Sequence, residues 1–529
     1  MRYQKKYTKL LLIIFFFSSF NLEANVAAPC TFNSSDFLQE LSKIKNIQKI
    51  EISIKKHKKW TKNLMKATLN DGPILPEYKK RFDAVIKTHY QFGSCIHEGS
   101  VRLHGDWKDH IDFIEGGKFI QSLDVSLSNG SISNFVKFKL LLPETRNGTN
   151  EIILTHLLRY LGFVAPRTSF VDVAVNGISS TMLIQEKDEK ELLEGMNIKE
   201  GPLFEGDETF LFSNFGDFKH LELKDISLSK MTNKQWAQSS NEAASISLKA
   251  FSMLQKAYLN YVTTLPENNL YLDWNLLAGA KKDIISKWAH FEILLFAAQA
   301  SHALIPHNRK FYFNVFTSSF EPIYWDGEPR SLTGEWMRIK PKLKYYKFLE
   351  ESHFEEVISM IGLIDQEKFI SLISEENIID VNDAKEIFSD LSSKVQILRD
   401  EFLLHKKLIN NSTQLNYKED LIKTFKIKLA SHLPESIILN IEESNQKGFF
   451  TYECALNNDM CVQKEIGFLE LGEILERKSL NKDNSKTAVL ALPQLEFNSS
   501  KYQENSFLKD NIKIQSSKGV SIFFDKKLK

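Results

Sequence analysis

Apolar positions along the chain fall into helix-like and strand-like runs in uneven alternation. Residues 25–95 read as mostly helical, because "SSDFLQELSKI" offers an N-cap at Ser35 ahead of Phe37, Leu38 and Leu41 at helical spacing. From residue 96 to about 330, strands and helices interleave. "EGSVRLHGDW" is a short strand running into a turn at Gly105, and "KFIQSLDVSL" and "NFVKFKLLLP" alternate like two strands paired around Asn129-Gly130. "NEIILTHLLRYLG" carries an N-cap at Asn150, apolar positions at Ile153, Leu154, Leu157, Leu158 and Leu161, and Gly162 at its end. "SFVDVAVNGISSTMLIQE" is a hairpin with Asn176-Gly177 at its turn. A helix is expected over 188–194, then a polar insertion to about residue 282. The almost wholly apolar helix in "DIISKWAHFEILLFAAQA" belongs at the centre of a domain. Helical spacing resumes from 331 to about 410, and the tail from 411 turns to strand-like runs such as "SIILNIEE" and "GFFTYECAL", read as a separate β-rich module.

Composition narrows this picture. A chain of 529 residues that is 43% hydrophobic can bury one large core or two to three domains. Its formal charge of +1 comes without a dense basic patch, so nucleic acid is not an expected partner. Arg2, Lys5, Lys6 and Lys9 precede the apolar run Leu10–Phe20, which is too short to span a bilayer as a mature helix. With small Ala24 after it, residues 1–24 read as a secretory signal peptide, so the chain is expected to be exported, to the periplasm, the cell surface or the medium, with no stable transmembrane anchor. Four cysteines in an exported chain favour disulfides. Cys454 and Cys461 flank a turn at Asn457, Asn458 and Asp459, which suits a hairpin-closing bridge and leaves Cys30 and Cys95 to pair by elimination.

Common catalytic signatures are absent: no GxxxxGK[ST], GxGxxG, HExxH, GxSxG or CxxC occurs. His97, His104 and His110, beside Asp106 and Asp109, fit no metal template and read as ordinary loop and strand residues. The stretch "SHALIPHNRKFYFNVFTSSFEPIYWDGEP" carries more chemistry. "KFYFNVF" and "FEPIYW" read as two strands joined at Thr317, Ser318 and Ser319. With the turn centred near Thr317, opposed residue numbers sum to about 634, so Asn308 and Asp326 face each other. An amide oxygen and a carboxylate converging there make a hard-oxygen site suited to Mg2+ bridging phosphates; the structural alternative is a strand cap at Asn308 and a turn at Asp326.

Taken in order, "VRLHGDW", "KFIQSLDVSL", "PETRNGTNEIILTHLLRYLGFVAPR", "FVDVAVNGISSTMLIQEKDEKELLE", "HNRKFYF" and "FEPIYWD" resemble the CotH (spore-coat protein H) kinase-like family of atypical protein kinases over roughly residues 98–330. The resemblance implies an α+β fold: a divergent protein-kinase-like core over 96–410 with a helical extension, flanked by the N-terminal helical segment (25–95) and the β-rich module (411–529). It implies ATP with Mg2+ or Mn2+ and phosphoryl transfer to a protein Ser/Thr hydroxyl. Asp326 and Asn308 match the metal ligands. Lys118 is the expected phosphate-pairing lysine, with Lys137 and Lys139 as rivals, and Glu151 its ion-pair partner. Arg102, Arg146 and Glu186 are further expected nucleotide contacts, each with a structural alternative, which for Glu186 is a salt bridge. The family usually has an aspartate four or five residues before the asparagine. Here that window reads "SHALIPHN", so His302 and His307 are the expected substitutes, a neutral imidazole accepting the proton. The missing aspartate equally fits a nucleotide-binding pseudokinase. Two readings from other classes are a surface or host-binding protein on a kinase-like scaffold, and a polysaccharide hydrolase with aromatic platforms at Trp107, Trp325 and Trp336.

Overall fold

The computed structural model describes residues 30–32, 40–114, 117–207, 228–264, 271–330, 332, 348–374, 381–411, 425–427, 436–444, 448–455, 461–476, 487–489, 511–515 and 521–525. The expected signal peptide, the N-cap at Ser35, the Asn457–Asp459 turn and Trp336 lie outside them. The first half is built on strands β1 (Cys30–Phe32), β2 (Ile47–Ile54), β3 (Phe82–Tyr90), β4 (Gly93–Leu103), β5 (Ile111–Ile114), β6 (Lys118–Gln121), β7 (Leu123–Leu127), β8 (Lys137–Leu141), β9 (Thr168–Val175) and β10 (Ile178–Glu186), with helices α1 (His57–Leu69), α2 (Thr149–Tyr160) and α3 (Lys190–Glu194).

Seven of these strands close into a barrel. The order β4-β3-β2-β9-β10-β8-β7 returns to β4 through the β4–β7 pairing, and β2 joins β9 in parallel. Period-two alternation fills the inside: Ile50, Ile52 and Ile54 on β2, Ala84 and Ile86 on β3, and Val171, Val173 and Val175 on β9 belong to one buried cluster, which Trp60 and Leu64 of α1 also join. The expected helical character of residues 25–95 is therefore corrected, since α1 is the one α-helix described there and β2 and β3 are barrel staves. The Asn176-Gly177 hairpin forms as expected, with φ of 50° and 84° at its two turn residues. The strand pair around Asn129-Gly130 is shorter than expected: β7 pairs β8 across residues 128–136, while β6 leaves to pair β5.

The second half packs helices on a smaller sheet of order β12-β11-β13-β14, from β11 (Leu203–Asp207), β12 (Leu228–Met231), β13 (Lys310–Asn314) and β14 (Ser319–Ile323). Around it lie α4 (Lys234–Ala237), α5 (Asn241–Thr264), α6 (Trp274–Ala278) and α7 (Lys282–Ala297), then α8 (Glu351–Gly362), α9 (Gln366–Ser374) and α10 (Val381–Asn411). The apolar α7 sits at the centre as expected, with Trp288, Phe291, Leu294 and Leu295 buried. The segment read as a polar insertion contributes instead a core helix, for Phe251, Leu254 and Tyr258 of α5 are fully buried.

The tail is β-rich as expected: β15 (Phe425–Ile427), β16 (Ser436–Glu443), β17 (Phe449–Ala455), β18 (Cys461–Ile466), helix α11 (Phe468–Glu476), β19 (Thr487–Val489), β20 (Asn511–Gln515) and β21 (Ser521–Asp525). It is not separate. Ile438, Ile441, Phe449, Ile466, Leu471, Ile474, Leu475 and Val489 share the hydrophobic core of α5 and α7, and Lys234 of α4 bonds Glu473 of α11 at 2.9 Å. The β17–β18 register sets Cys454 opposite Cys461. Cys30 and Cys95 form the expected disulfide, and among the described residues no helix is long and apolar enough to cross a membrane. The disulfide fits an exported chain.

Candidate functional site

Strand alternation puts apolar side chains inside the barrel and charged ones outside. The register aligns Arg102 of β4 with Asp124 of β7, and Asp124 with Lys139 of β8. These three side chains therefore form one row on the barrel's outer face, where they line a cavity of about 470 Å3 shared with Lys310, Glu205 and the segments around β13 and β14.

The row is charged, and two of its members, Asp124 and Lys139, are buried. Asp124, fully buried, accepts from Arg102 at 2.9 and 3.2 Å and from Arg81. Burial alone would raise its carboxyl, but Lys187, Arg102 and Arg81 hold it far below the usual carboxylate range. Lys139 is 7% exposed, its Nζ lies 3.8 Å from the centroid of the Trp325 ring, and no carboxylate among the described residues is within ion-pair distance of it. Burial, then Lys310 and Arg146, push its ammonium down to about 7. Lys310 is the opposite case: with Asp188 at 2.8 Å and Glu205 at 2.6 Å it stays firmly charged despite burial. Gly206, beside Glu205 on β11, admits the turn that carries His307, because a Cβ there would meet the Pro306 carbonyl at 2.1 Å and His307 Cα at 2.5 Å.

Across the cavity sit residues of the β13–β14 hairpin and the segments flanking it. Its register is one residue off the expected one. Lys310 pairs with Ile323 and Asn314 with Ser319, a sum of 633, since the loop has four residues (315–318) and its centre falls between two of them. Asn308 and Asp326 lie beyond the paired strands, and both still line the cavity. Asp326, at a φ of 53°, bonds Arg146 at 3.0 Å through Oδ2, while its Oδ1 is buried without a hydrogen-bond partner. Nδ1 of His302 lies 2.8 Å from the Asp326 carbonyl oxygen and 3.6 Å from Oδ1, and the Asn308 amide is 3.2 Å from the same ring. Ligand atoms of His302, Asp326 and Glu328 lie within 4.8 Å of one another, a spacing that a cation could bridge once the imidazole gives up its proton. Burial raises the Asp326 carboxyl, but Arg146 and His302 outweigh it and keep it ionised.

The two expected bases differ. Burial opposes charge on His302, yet its bond to Asp326 and the nearby Glu328 push it up to about 9, so at neutral pH it is a cation and not the neutral acceptor expected. His307 is pushed down to about 4 by burial and by His302, and is neutral.

Three other expectations are corrected. Lys118 is exposed on β6 and lines no part of the cavity, because its strand turns away to pair β5. Of its rivals, Lys137 pairs with Glu189 at 2.9 Å, and Lys139 is the lysine that lines the cavity. Glu151 pairs with no lysine among the described residues; it is buried in α2, where the Tyr324 hydroxyl and Gln185 Nε2 donate to it at 2.6 and 2.9 Å. Glu186 takes its structural alternative, a two-pronged pair with Arg167 at 2.7 and 3.0 Å. Arg102 and Arg146 do line the cavity, as do His104 and His110, whose rings lie 5.3 Å apart. Sequence reading passed over Asp124, Asp188 and Glu205. The available signal was a charge set inside a strand-like run, as in "LDVSL" and "LFEGD".

Glu151 yields a pH prediction. Burial raises its carboxyl from 4.5 to about 7, against the pull of Tyr324, Arg146 and Gln185. Between pH 4.5 and 7 the unfolded chain gives up this proton and the folded one keeps it, so stability falls as pH rises through that window. Glu151→Gln, with Gln185 turning its unsatisfied Oε1 to accept, is expected to gain stability relative to the parent across the window, on the order of 3 kcal/mol. Urea unfolding of both proteins from pH 4 to about pH 8 tests this; parallel profiles would refute it. Comparison of the chain with models of known protein families gives no match, and comparison with curated proteins gives none.

Proposed function

We propose that this cavity binds a metal–triphosphate and that the protein is an exported, kinase-like phosphotransferase. One observation carries the reading: Lys139, with no carboxylate of the described residues within ion-pair distance, and the Asp326 carboxylate line the same cavity, one suited to phosphate oxygens and the other to a divalent cation. The resemblance to the CotH kinase-like family supplies the rest: ATP as donor, Mg2+ or Mn2+, and a protein hydroxyl as acceptor. A bound metal would neutralise charge developing on the transferred phosphoryl group. Lys139 and Arg146 would hold the phosphate chain, with Asp326, Asn308 and Glu328 fixing its charged end. The acceptor oxygen would bond to the terminal phosphorus as the bond to the departing diphosphate breaks, and the hydroxyl proton would pass to neutral His307 or to water.

A second reading, a binding protein without turnover, is favoured by a different observation. No carboxylate occurs in Ser301–Asn308, His302 is already protonated, and Glu151 leaves the lysine unpaired. Thermal unfolding with and without Mg2+–ATP or Mn2+–ATP tests the shared core. Ligand at a hundred times its dissociation constant is expected to add about 2.7 kcal/mol, and Asp326→Ala to lose most of it. An unchanged midpoint with both metals would refute the site. A phosphate-transfer assay then separates the two readings.

A further inference from the structure

The walls of the cavity carry information about which part of a ligand they recognise. We infer that the site reads a chain of linked phosphates and does not read a nucleobase. This rests on the phosphate-binding reading above.

A purine is held by apolar surface on both faces, and sites for such ligands are mostly apolar with a few polar groups. Here the proportion is reversed. Leu103, Trp107 and Trp325 are the large apolar side chains among the lining residues, and two of the three are already committed. Leu103 is 1% exposed and packs into the barrel core. The Trp325 ring is already taken, with Lys139 Nζ at 3.8 Å and Lys310 Nζ at 4.6 Å from its centroid, so a base stacking there would have to displace two ammonium groups. Trp107 is 53% exposed. The element following β10, where the resemblance would set the base, is tied up as well: Glu186 is held by Arg167, and Lys187 and Asp188 bring charge to the lining.

Phosphates meet the opposite situation. Lys139 is a buried amine with no carboxylate of the described residues within ion-pair distance, and Arg146, paired with Asp326, and Lys187, paired with Glu189 at 3.5 Å, line the same space. Guanidinium and ammonium groups bind non-bridging phosphate oxygens through charge-assisted hydrogen bonds, with no need of an apolar wall. The volume of about 470 Å3 exceeds what one phosphate occupies and has room for a di- or triphosphate chain, free or as the tail of any nucleotide.

The test compares magnesium tripolyphosphate, magnesium ATP and adenosine as ligands of the purified chain, with apparent affinities read from thermal unfolding titrations. Tripolyphosphate and ATP are expected to bind within about threefold of each other, and adenosine to leave the midpoint unmoved. Trp107→Ala should leave their ratio unchanged. ATP binding more than about tenfold tighter than tripolyphosphate, the gain expected of one stacked base, would overturn the inference while keeping the phosphate site. Protection by adenosine would overturn it too. Failure of both phosphate ligands would instead remove the underlying reading.

Discussion

Glu292→Ala is expected to destabilise the protein by about 3–5 kcal/mol, the usual cost of leaving a buried charge without its partner. Glu292 sits on central helix α7 at 1% exposure, and its Oε1 accepts from Arg309 Nη1 at 2.8 Å and from Trp274 Nε1 at 3.0 Å. Arg309, itself buried, also donates through Nε to the Leu304 carbonyl at 3.0 Å. Without the carboxylate, the guanidinium stays in a region too dry to solvate it. Glu292→Gln keeps an acceptor oxygen and should cost visibly less. Urea unfolding of the three proteins measures the difference, and a loss below about 1 kcal/mol for alanine would mean that water reaches Arg309. The pair matters for the cavity because Arg309 lies between Asn308 and Lys310, both of which line it.

Loss of the Cys30–Cys95 bridge is the second large effect. The bond spans 65 residues, a loop that encloses β2, α1 and β3. Chain-entropy arguments give about 4 kcal/mol for a loop of that length, within the 2–5 kcal/mol range typical of removing such bonds. Cys95 is buried against the barrel core, so serine there adds a polar group to an apolar site, and Cys30→Ser is the cleaner probe. Unfolding of Cys30→Ser is expected to match that of the parent under reducing conditions and to fall well below that of the oxidised parent. Coincident curves for oxidised and reduced parent protein would show that the bridge contributes nothing.

Much of the fold was legible, and the misses have identifiable causes. The Asn176-Gly177 hairpin and the apolar helix α7 follow from local chemistry alone, and both formed as read. The helical reading of residues 25–95 extended one capping signal over a region whose own pattern, Ile50-Ile52-Ile54 and Phe82-Ala84-Ile86, has the period of a strand. The tail reads as separate in sequence because apolar spacing shows that Ile438 and Ile441 are buried but not what buries them. At the cavity, His302, Asn308 and Asp326 are neighbours because one short hairpin and its flanks carry them. Lys139 was ranked behind Lys118, since only the pairing of β7 with β8 shows which lysine shares a face with Asp124.

The parallel pairing of β2 with β9 bears on how the molecule comes into being. Residues 47–54 find one neighbour nearby in β3, but the other is more than a hundred residues further along the chain. During synthesis the first three staves thus wait, open-edged, until residue 175 has emerged. Such contacts, distant in sequence, make for slow folding and prolonged exposure of strand edges. A chaperone that holds the nascent chain through this interval would be most needed between the completion of β4 and the arrival of β9.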